Sequence, residues 1–371
     1  MNYSIGIQTF WNVPNYGTFA QAYALQKVLQ QINENKDVRQ IAHLDQHHFD
    51  FYYNYKAYLR AYPIWKKAFW KSFFIKTQNL DAKEKIFFKA YNSIPHTDSI
   101  DLTNVKKYQF EKIFLGSDIV WDYSVEVFNN DPLLFGIGYS AEINAYAASF
   151  GTVSTDAELP DYVKKALMQM RYISVRDEKS AELVRKVTGK KPKIVLDPTW
   201  LWNFNDDNNI QKPDEENYIL VYGQDFTIDF IENLRKYANE YKMKLIALDC
   251  NDDHYDWCDK MINQSELSPY QWIGYFKYAS KIATSTFHGI TFSLIFNKNF
   301  AFCKTDFIMA KVDEFLKEIG LFNLFDGNQN DVYGMFNYDF NYPFINEVIA
   351  NKKQDSLKFL RKACSNRNGT K

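Results

Sequence analysis

Short apolar runs alternate with amphipathic segments along most of the chain. Residues 4–10 form an apolar run typical of a β-strand, which ends in a turn-rich loop. Between Thr18 and Ile32, apolar residues then recur at spacings of three and four, which places them on one face of a helix. The order of strand, glycine-containing loop and helix predicts the opening of an α/β unit.

The same alternation continues on both sides of a polar stretch. Before it, the pattern predicts strands at 112–115, 143–148, 172–176 and 193–196 and a helix at 178–188; after it, strands at 218–222, 245–248 and 281–284 and helices at 226–241, 270–279, 289–296 and 344–363. The stretch between Trp202 and Asn217 is dominated by turn formers and lacks helical periodicity. We therefore expect the domain linker there.

This pattern predicts an α/β protein with two doubly wound, Rossmann-like domains that face a cleft. The predicted first domain is 1–205, with an insertion at 49–76, and the second is 214–335. A C-terminal helix and tail, 336–371, is expected to pack back on the first domain. In doubly wound sheets, ligands bind beyond the carboxyl ends of the strands, so the chemistry is sought in those loops.

Composition narrows the function classes. The 371 residues are 46% hydrophobic, which excludes intrinsic disorder. Lys and Arg number 44 against 45 Asp and Glu, and this balance argues against a dedicated binder of double-stranded DNA. The four cysteines include no Cys-x-x-Cys pair, so a reducing compartment is expected. With neither a signal peptide nor an apolar membrane span in its pattern, the sequence predicts a cytoplasmic protein.

The strongest chemical signal stands between a predicted strand and a predicted helix, in the run Thr284-Ser285-Thr286-Phe287-His288-Gly289. Backbone N–H groups at the start of a helix bind anions. A histidine there donates a charged hydrogen bond or acts as an acid near neutral pH. A capped helix with a structural histidine is the alternative.

Other predicted strand ends also contain polar residues. Asn15-Tyr16-Gly17 suits a tight turn that touches ligand, and Gly116-Ser117-Asp118 contributes a carboxylate that either caps a helix or accepts a substrate hydroxyl. Arg176 either clamps a carboxylate or phosphate or forms a surface pair with Asp177. Asp197-Pro198-Thr199 is expected to end a strand structurally.

Other signatures are missing from the sequence. The histidines and cysteines show no metal-ligand spacing, and the dinucleotide, P-loop and nucleophile-elbow motifs do not occur. The sequence therefore predicts neither a metal nor a bound cofactor.

The insertion at 49–76 mixes aromatic with basic residues, and Asp50 is its only acid. This composition is typical of a helix that lies on a membrane surface. The alternative is an insertion packed on the first domain with its lysines in solvent.

Taken in order, these segments resemble the polysaccharide pyruvyl transferase family. The matching blocks are Asn15-Tyr16-Gly17 with 21–26, Gly116-Ser117-Asp118 with Trp121, and 146–151, 174–177, 196–199 and 285–289. The resemblance implies a glycosyltransferase-B-like arrangement of two Rossmann-like domains. It also implies transfer of pyruvate from phosphoenolpyruvate to a sugar diol of a surface polysaccharide, such as a capsule or exopolysaccharide, or of a lipid-linked precursor. The products would be a cyclic ketal and phosphate.

The resemblance also implies roles for single residues. His288 is expected to be the acid or the phosphate ligand, and Asp118 the base or the ligand of the acceptor hydroxyl. The expected donor-binding residues are Arg176, Ser285, Thr286, Gly289 and Lys311; those of the cleft or acceptor are Asn15, Tyr16, Gly17, Ser117 and Trp121. Arg176 and His288 are expected to converge on the donor. The expected partners are phosphoenolpyruvate and a glycan or lipid-linked sugar, with contact to the inner face of the plasma membrane through 49–76 and no nucleic acid.

The chain departs from the family pattern at several of these positions. This chain has Ile119 where the family usually has Gln, Asp122 where it has Asn, Ser285 where it has Asp, and Lys311 where it often has Arg. The lysine keeps the charge but loses the forked geometry of a guanidinium. Two alternatives therefore remain beside the pyruvyltransferase: a nucleotide-sugar glycosyltransferase of the same fold and a non-catalytic glycan-binding relative.

Overall fold

The computed structural model describes residues 1–34, 36–44, 48, 82–125, 131–248 and 255–365. The aromatic and basic insertion predicted at 49–76 lies outside the described residues. The chain divides into two compact units: the first comprises Met1–Trp202 together with the C-terminal segment from Lys352, and the second comprises Asn203–Asn351.

The first unit contains a parallel sheet. Its strands are β1 (Asn2–Gln8), β2 (Val38–Ala42), β3 (His96–Ser99), β4 (Gln109–Leu115), β5 (Glu142–Ala148), β6 (Tyr172–Val175) and β7 (Lys193–Ile194); its helices are α1 (Tyr16–Ile32), α2 (Asp161–Gln169) and α3 (Glu178–Thr188), with a helical stretch at 82–91. Short 3₁₀ turns occur at Val105–Lys107, Pro132–Phe135 and Pro198–Trp200. Within the described residues, the seven strands lie in the order β3-β2-β1-β4-β5-β6-β7, and every pair is parallel.

Both faces of this sheet are buried. Successive side chains of a strand point to opposite faces, and in β4 Phe114 packs in one apolar core while Ile113 and Leu115 pack in another. All three side chains are fully buried. Burial on both faces explains why the strands read as nearly continuous apolar runs and not as alternating ones.

The second unit repeats this architecture on a smaller scale. Its strands are β8 (Tyr218–Tyr222), β9 (Lys244–Leu248), β10 (Lys260–Ile262), β11 (Lys281–Thr284) and β12 (Phe300–Phe302); its helices are α4 (Ile228–Glu240), α5 (Pro269–Tyr278), α6 (Phe287–Ile295), α7 (Asp306–Glu318), α8 (Phe322–Asp326) and α9 (Val332–Asn337), with a 3₁₀ turn at Gln264–Glu266. The described strands form a parallel sheet in the order β10-β9-β8-β11-β12.

A last helix, α10 (Tyr342–Cys364), begins in the second unit and ends in the first. Leu360 and Ala363, near its end, are fully buried in one of the two cores of the first unit. Lys112 of β4 has a side chain that is only 6% exposed. Its Nζ donates to the carbonyl oxygens of Ala363 and Ser365, at 3.0 and 2.8 Å, and lies 3.1 Å from Glu142. This buried lysine thus anchors the end of the chain to the sheet.

Replacing this lysine is expected to destabilise the first unit. In Lys112→Met the apolar stem is kept, but the carbonyl groups at the end of α10 lose a charged donor, so the free energy of unfolding should fall by about 1–3 kcal/mol. Lys191→Met is the matched control, because its pair with Glu178 is about half exposed on both sides and should contribute less than about 1 kcal/mol. Urea unfolding measures both variants, and equal losses would contradict the anchoring role.

The sequence-based boundaries differ from the observed ones at strand and helix ends. Helix α6 begins at Phe287 and not at 289, because Thr286 caps it, so His288 lies in its first turn. Helix α1 begins at Tyr16, because the side chain of Asn15 accepts from the backbone N–H of Thr18. Strand β7 ends at Ile194, two residues earlier than predicted. No described helix is long and apolar enough to cross a membrane.

Candidate functional site

Each sheet has a place where the strand order reverses. In the first unit this switch point lies between β1 and β4, and in the second between β8 and β11. Successive crossovers leave in opposite directions there and open a crevice at the carboxyl ends of the strands, where ligands of such folds bind. The loops after β1 and β4 contain Asn15 and Asp118, and the loop after β11 leads to His288. Sequence reasoning thus selected residues at both switch points.

The first of these loops contains one exposed polar side chain. Asn15 is exposed and caps α1 by accepting from the N–H of Thr18 at 3.1 Å. Tyr16 is buried, with its ring centroid 4.9 Å from that of Phe87. Gly17 is buried within the first turn of α1. Tyr16 and Gly17 therefore shape the loop, and Asn15 is the member of the motif that faces solvent.

Asp118 stands in a backbone conformation that few residues adopt. Its φ is 77°, in the left-handed region that asparagine and aspartate tolerate better than most side chains. Its Oδ1 accepts from the N–H of Ile119 at 2.9 Å, and its Oδ2 accepts from the hydroxyl of Thr18 at 3.3 Å. The preceding Gly116 has a φ of 99°, and a Cβ there would lie 2.5 Å from the carbonyl oxygen of Tyr146. This close approach explains the glycine of the Gly-Ser-Asp motif.

Arg176 lies between two carboxylates. Its Nη2 is 3.4 Å from Oδ1 of Asp118, and its Nη1 is 3.4 Å from Oδ2 of Asp197. Asp197 is only 3% exposed at its side chain. It also accepts from the hydroxyl of Ser117 at 3.0 Å and from the N–H of Thr199 at 3.0 Å. Ser117 and Arg176 thus join the loops after β4, β6 and β7 through one buried carboxylate.

The structure corrects the expected role of Trp121 in the cleft or acceptor site. This side chain is fully buried, and its ring packs between those of Phe135 and Phe150, with centroids 6.2 and 5.2 Å away. The neighbouring Asp122 is also fully buried and accepts from both the N–H and the hydroxyl of Thr152, at 2.5 and 2.8 Å. A carboxylate oxygen accepts both bonds. We assign both side chains to packing and loop closure, because neither presents a surface to an acceptor.

In the second unit, hydroxyl side chains join the two loops of the switch point. The Ser285 hydroxyl donates to the carbonyl oxygen of Gln224 at 2.7 Å and accepts from the N–H of Gln224 at 2.8 Å. Ser285 is 6% exposed, so this residue, which stands where the family pattern has Asp, fastens the loop after β11 to the loop after β8. Thr286 caps α6 by accepting from the N–H of Gly289 at 3.0 Å.

Two glycines permit this close packing. A Cβ at Gly289 would lie 1.9 Å from Oγ1 of Thr284, and a Cβ at Gly223 would lie 2.2 Å from Oγ of Ser285. Both distances are far below van der Waals contact, so a larger residue at either position would force the loops apart. Gly289 therefore shapes the start of α6.

His288 and Lys311 are the two remaining side chains predicted for the donor. His288 is half-buried in the first turn of α6, with its ring edge-to-face with that of Phe287 at 5.3 Å. Lys311 is exposed in the second turn of α7, and its Nζ lies 3.8 Å from the ring centroid of Phe307. Because β12 pairs with β11, helices α6 and α7 begin at the same edge of the sheet. The predicted convergence of Arg176 and His288 stays a prediction.

His48 adds no positive charge near Asp118 at neutral pH. Burial lowers the pKa of His48 to about 4, although the charges of Asp118 and Asp131 favour its protonated form. Its ring lies edge-on to that of Phe10, with centroids 4.6 Å apart. In the described parts of the chain, no cluster of three or more His, Cys, Asp or Glu side chains is arranged to hold a metal ion.

Sequence reasoning missed some of the partners of these residues. Thr18, which donates to Asp118, directly follows the Asn15-Tyr16-Gly17 motif, and this position was the available signal. Asp197 was interpreted as a structural strand end, although it lies in the loop that follows β7. Gly223 and Gln224, which follow β8, were also missed. Only the observed strand order shows that β8 lies at the switch point.

Comparison with solved structures identifies the fold class. The chain is similar to the UDP-GlcNAc 2-epimerase from Methanocaldococcus jannaschii, with 12% identity over 98% of this chain and 99% of that chain and a TM-score of 0.53. It is also similar to the glycosyltransferase SnogD from Streptomyces nogalater, with 10% identity over 98% and 97% of the two chains and a TM-score of 0.41. At such low identities the first similarity shows the fold alone, and it supports the predicted glycosyltransferase-B-like class with two Rossmann-like domains.

Comparison with families is more specific. No curated protein matches the chain. The model of the polysaccharide pyruvyl transferase family matches residues 15–306, a range that contains Asn15, Asp118, Arg176 and His288, whereas Lys311 lies just beyond it. The match covers well over half of the sequence and confirms the resemblance found from the ordered motifs. The chain therefore belongs to the polysaccharide pyruvyl transferase family.

Proposed function

We propose that the protein transfers pyruvate from phosphoenolpyruvate to a sugar diol of a surface polysaccharide or of its lipid-linked precursor. The family match over residues 15–306 is the observation on which the proposal rests. The position of the matched polar motifs at the two switch points supports it, because such points are where ligands of doubly wound sheets bind.

The donor is proposed to bind at the start of α6. Phosphoenolpyruvate carries a phosphate and a carboxylate, and both favour the positive end of a helix dipole and its unpaired backbone N–H groups. The N–H of Gly289 is engaged by Thr286, so the amide of Phe287, the first residue of α6, is the one we assign to the anion. The His288 imidazole in the same turn would then donate to the phosphate or supply a proton to the donor.

The reaction requires one proton to move to carbon and two to leave hydroxyl groups. Protonation of the methylene carbon makes the neighbouring carbon electrophilic, and the first acceptor hydroxyl adds to it as its proton passes to a base. Departure of phosphate then regenerates an electrophilic carbon. The second hydroxyl closes the ring and its proton passes to the released phosphate, so a diol and phosphoenolpyruvate give a cyclic ketal and inorganic phosphate with no water consumed.

Asp118 is the proposed base for the acceptor hydroxyl. Its side chain is 21% exposed, lies at a strand end and is fixed by bonds from Ile119 and Thr18. A carboxylate oriented in this way accepts a proton from a bound hydroxyl if the acceptor lies within hydrogen-bond distance.

Donor discrimination tests the proposal. Purified protein is incubated with phosphoenolpyruvate, alone and with a panel of glycans and lipid-linked sugars, and free phosphate is measured. We expect release only when a suitable acceptor is present. Calorimetry with phosphoenolpyruvate and with UDP- and GDP-sugars provides the comparison. Tight binding of a nucleotide sugar in place of phosphoenolpyruvate would favour a glycosyltransferase and overturn the proposal.

A further inference from the structure

The surroundings of Arg176 do not suit a ligand for an anionic donor. The guanidinium has carboxylates on two sides, Asp118 and Asp197, each at 3.4 Å. We propose that Arg176 is a positioning residue that orients Asp118, and that the switch point of the first unit takes the neutral acceptor sugar and not phosphoenolpyruvate. This inference rests on the proposed function and revises the donor-binding role that the family resemblance implies for Arg176.

Asp197 holds the arginine in place. Its side chain is only 3% exposed. Among the described residues, Arg176 is the cation that pairs with it. Swinging the guanidinium away to meet a donor would leave a buried carboxylate without its counter-charge, which is strongly unfavourable. The hydroxyl of Ser117 and the N–H of Thr199 bind the same carboxylate but carry no charge. Asp197 therefore holds the guanidinium in a position in which Nη2 of Arg176 faces Asp118.

The local charge also disfavours a donor with several negative charges. Among the described residues of this cluster, two carboxylates against one guanidinium leave a formal charge of −1, and His48, whose pKa burial lowers to about 4, is neutral at pH 7. Phosphoenolpyruvate would thus approach a negative cluster in a partly buried setting, where like charges repel strongly. A sugar hydroxyl, by contrast, both donates to a carboxylate and accepts from an amide or hydroxyl.

The same edge offers groups suited to such hydroxyls. Asn15 is exposed beside the carboxylate cluster, since it caps the helix turn from which Thr18 donates to Asp118. Its amide both donates and accepts. With one oxygen of Asp118 bound by Thr18 and the other by Ile119 and Arg176, the carboxylate is fixed from three sides, as a base that must meet one hydroxyl requires.

Donor affinity and turnover separate positioning from donor binding. In Arg176→Lys the charge beside Asp197 is kept, but one ammonium cannot bridge both carboxylates. We expect the Kd for phosphoenolpyruvate, measured by calorimetry, to stay within about two-fold of wild type, while kcat falls by about ten-fold or more. Arg176→Gln should show the same split with a larger loss of kcat. Arg185→Gln is the matched control, because its pair with Glu182 lies exposed on α3, and its kinetics should equal those of wild type.

A double-mutant cycle shows whether Arg176 acts through Asp118. Adding Arg176→Lys to Asp118→Asn should cause little further loss of kcat, since the group that the arginine orients is already absent. A rise of about ten-fold or more in the donor Kd of Arg176→Lys, or fully additive losses in the cycle, would overturn the positioning role and leave the pyruvyltransferase proposal intact. Wild-type protein that binds no phosphoenolpyruvate at all would overturn both.

Discussion

His288→Ala is expected to lower the turnover of phosphoenolpyruvate by about 10²- to 10⁴-fold, the range typical for loss of a general acid or base. The residue lies half-buried in the first turn of α6, where the proposed donor site needs a proton donor near neutral pH. Phosphate release under saturating acceptor measures the effect. Thermal unfolding shows whether the variant remains folded.

Two further variants show whether the loss of turnover comes from the loss of a proton donor or from disturbance of α6. His288→Gln keeps a hydrogen-bond donor but cannot exchange a proton at neutral pH, so it should recover donor affinity without recovering kcat if His288 is the acid. Ser293→Ala perturbs the same helix, since its hydroxyl donates to the carbonyl oxygen of Gly289 at 2.7 Å, but it removes no proposed catalytic group. Comparable losses of kcat in Ser293→Ala and His288→Ala would show that α6 is merely sensitive to substitution.

Asp118→Asn is expected to have the second large effect, a loss of turnover of about 10²-fold or more with donor affinity nearly unchanged. Asparagine tolerates the left-handed backbone at this position and has almost the same shape, so the fold should persist while the base is lost. Kinetics at saturating donor and calorimetry with phosphoenolpyruvate measure the two quantities.

The matched control for this variant is Asp161→Asn, which removes an exposed carboxylate at the start of α2 in the same unit. Its turnover should equal that of wild type. An Asp118→Asn variant that keeps full activity would exclude this carboxylate as the base, whatever the donor proves to be.

Much of the fold could be predicted from the sequence, because parallel strands covered on both faces leave continuous apolar runs. The run that became β4 is such a case, with Phe114 and Leu115 packed on opposite faces. Short strands such as β10, at Lys260–Ile262, were not predicted, since two of its three residues are exposed and give no clear apolar signal. Helix starts moved by up to two residues where caps such as Thr286 decide the boundary.

The candidate site was only partly predictable for a different reason. The loops that end at Asp118 and His288 could be selected, because polar residues at strand ends stand out locally. The burial of Trp121 and the salt bridges of Arg176 could not be predicted, since they depend on which loops become neighbours at the edge of the sheet. A motif gives the residue type, whereas only the strand order reveals that Asp197 faces the arginine.

Incubation of the protein with phosphoenolpyruvate labelled with ¹³C at its central carbon and with an acceptor glycan, followed by NMR of the purified glycan, tests the central claim most directly. We expect the label to appear in the glycan as a ketal carbon attached to two sugar oxygens, with inorganic phosphate released in equal amount. Label that remains in phosphoenolpyruvate or in free pyruvate across acceptors that the protein binds would contradict it.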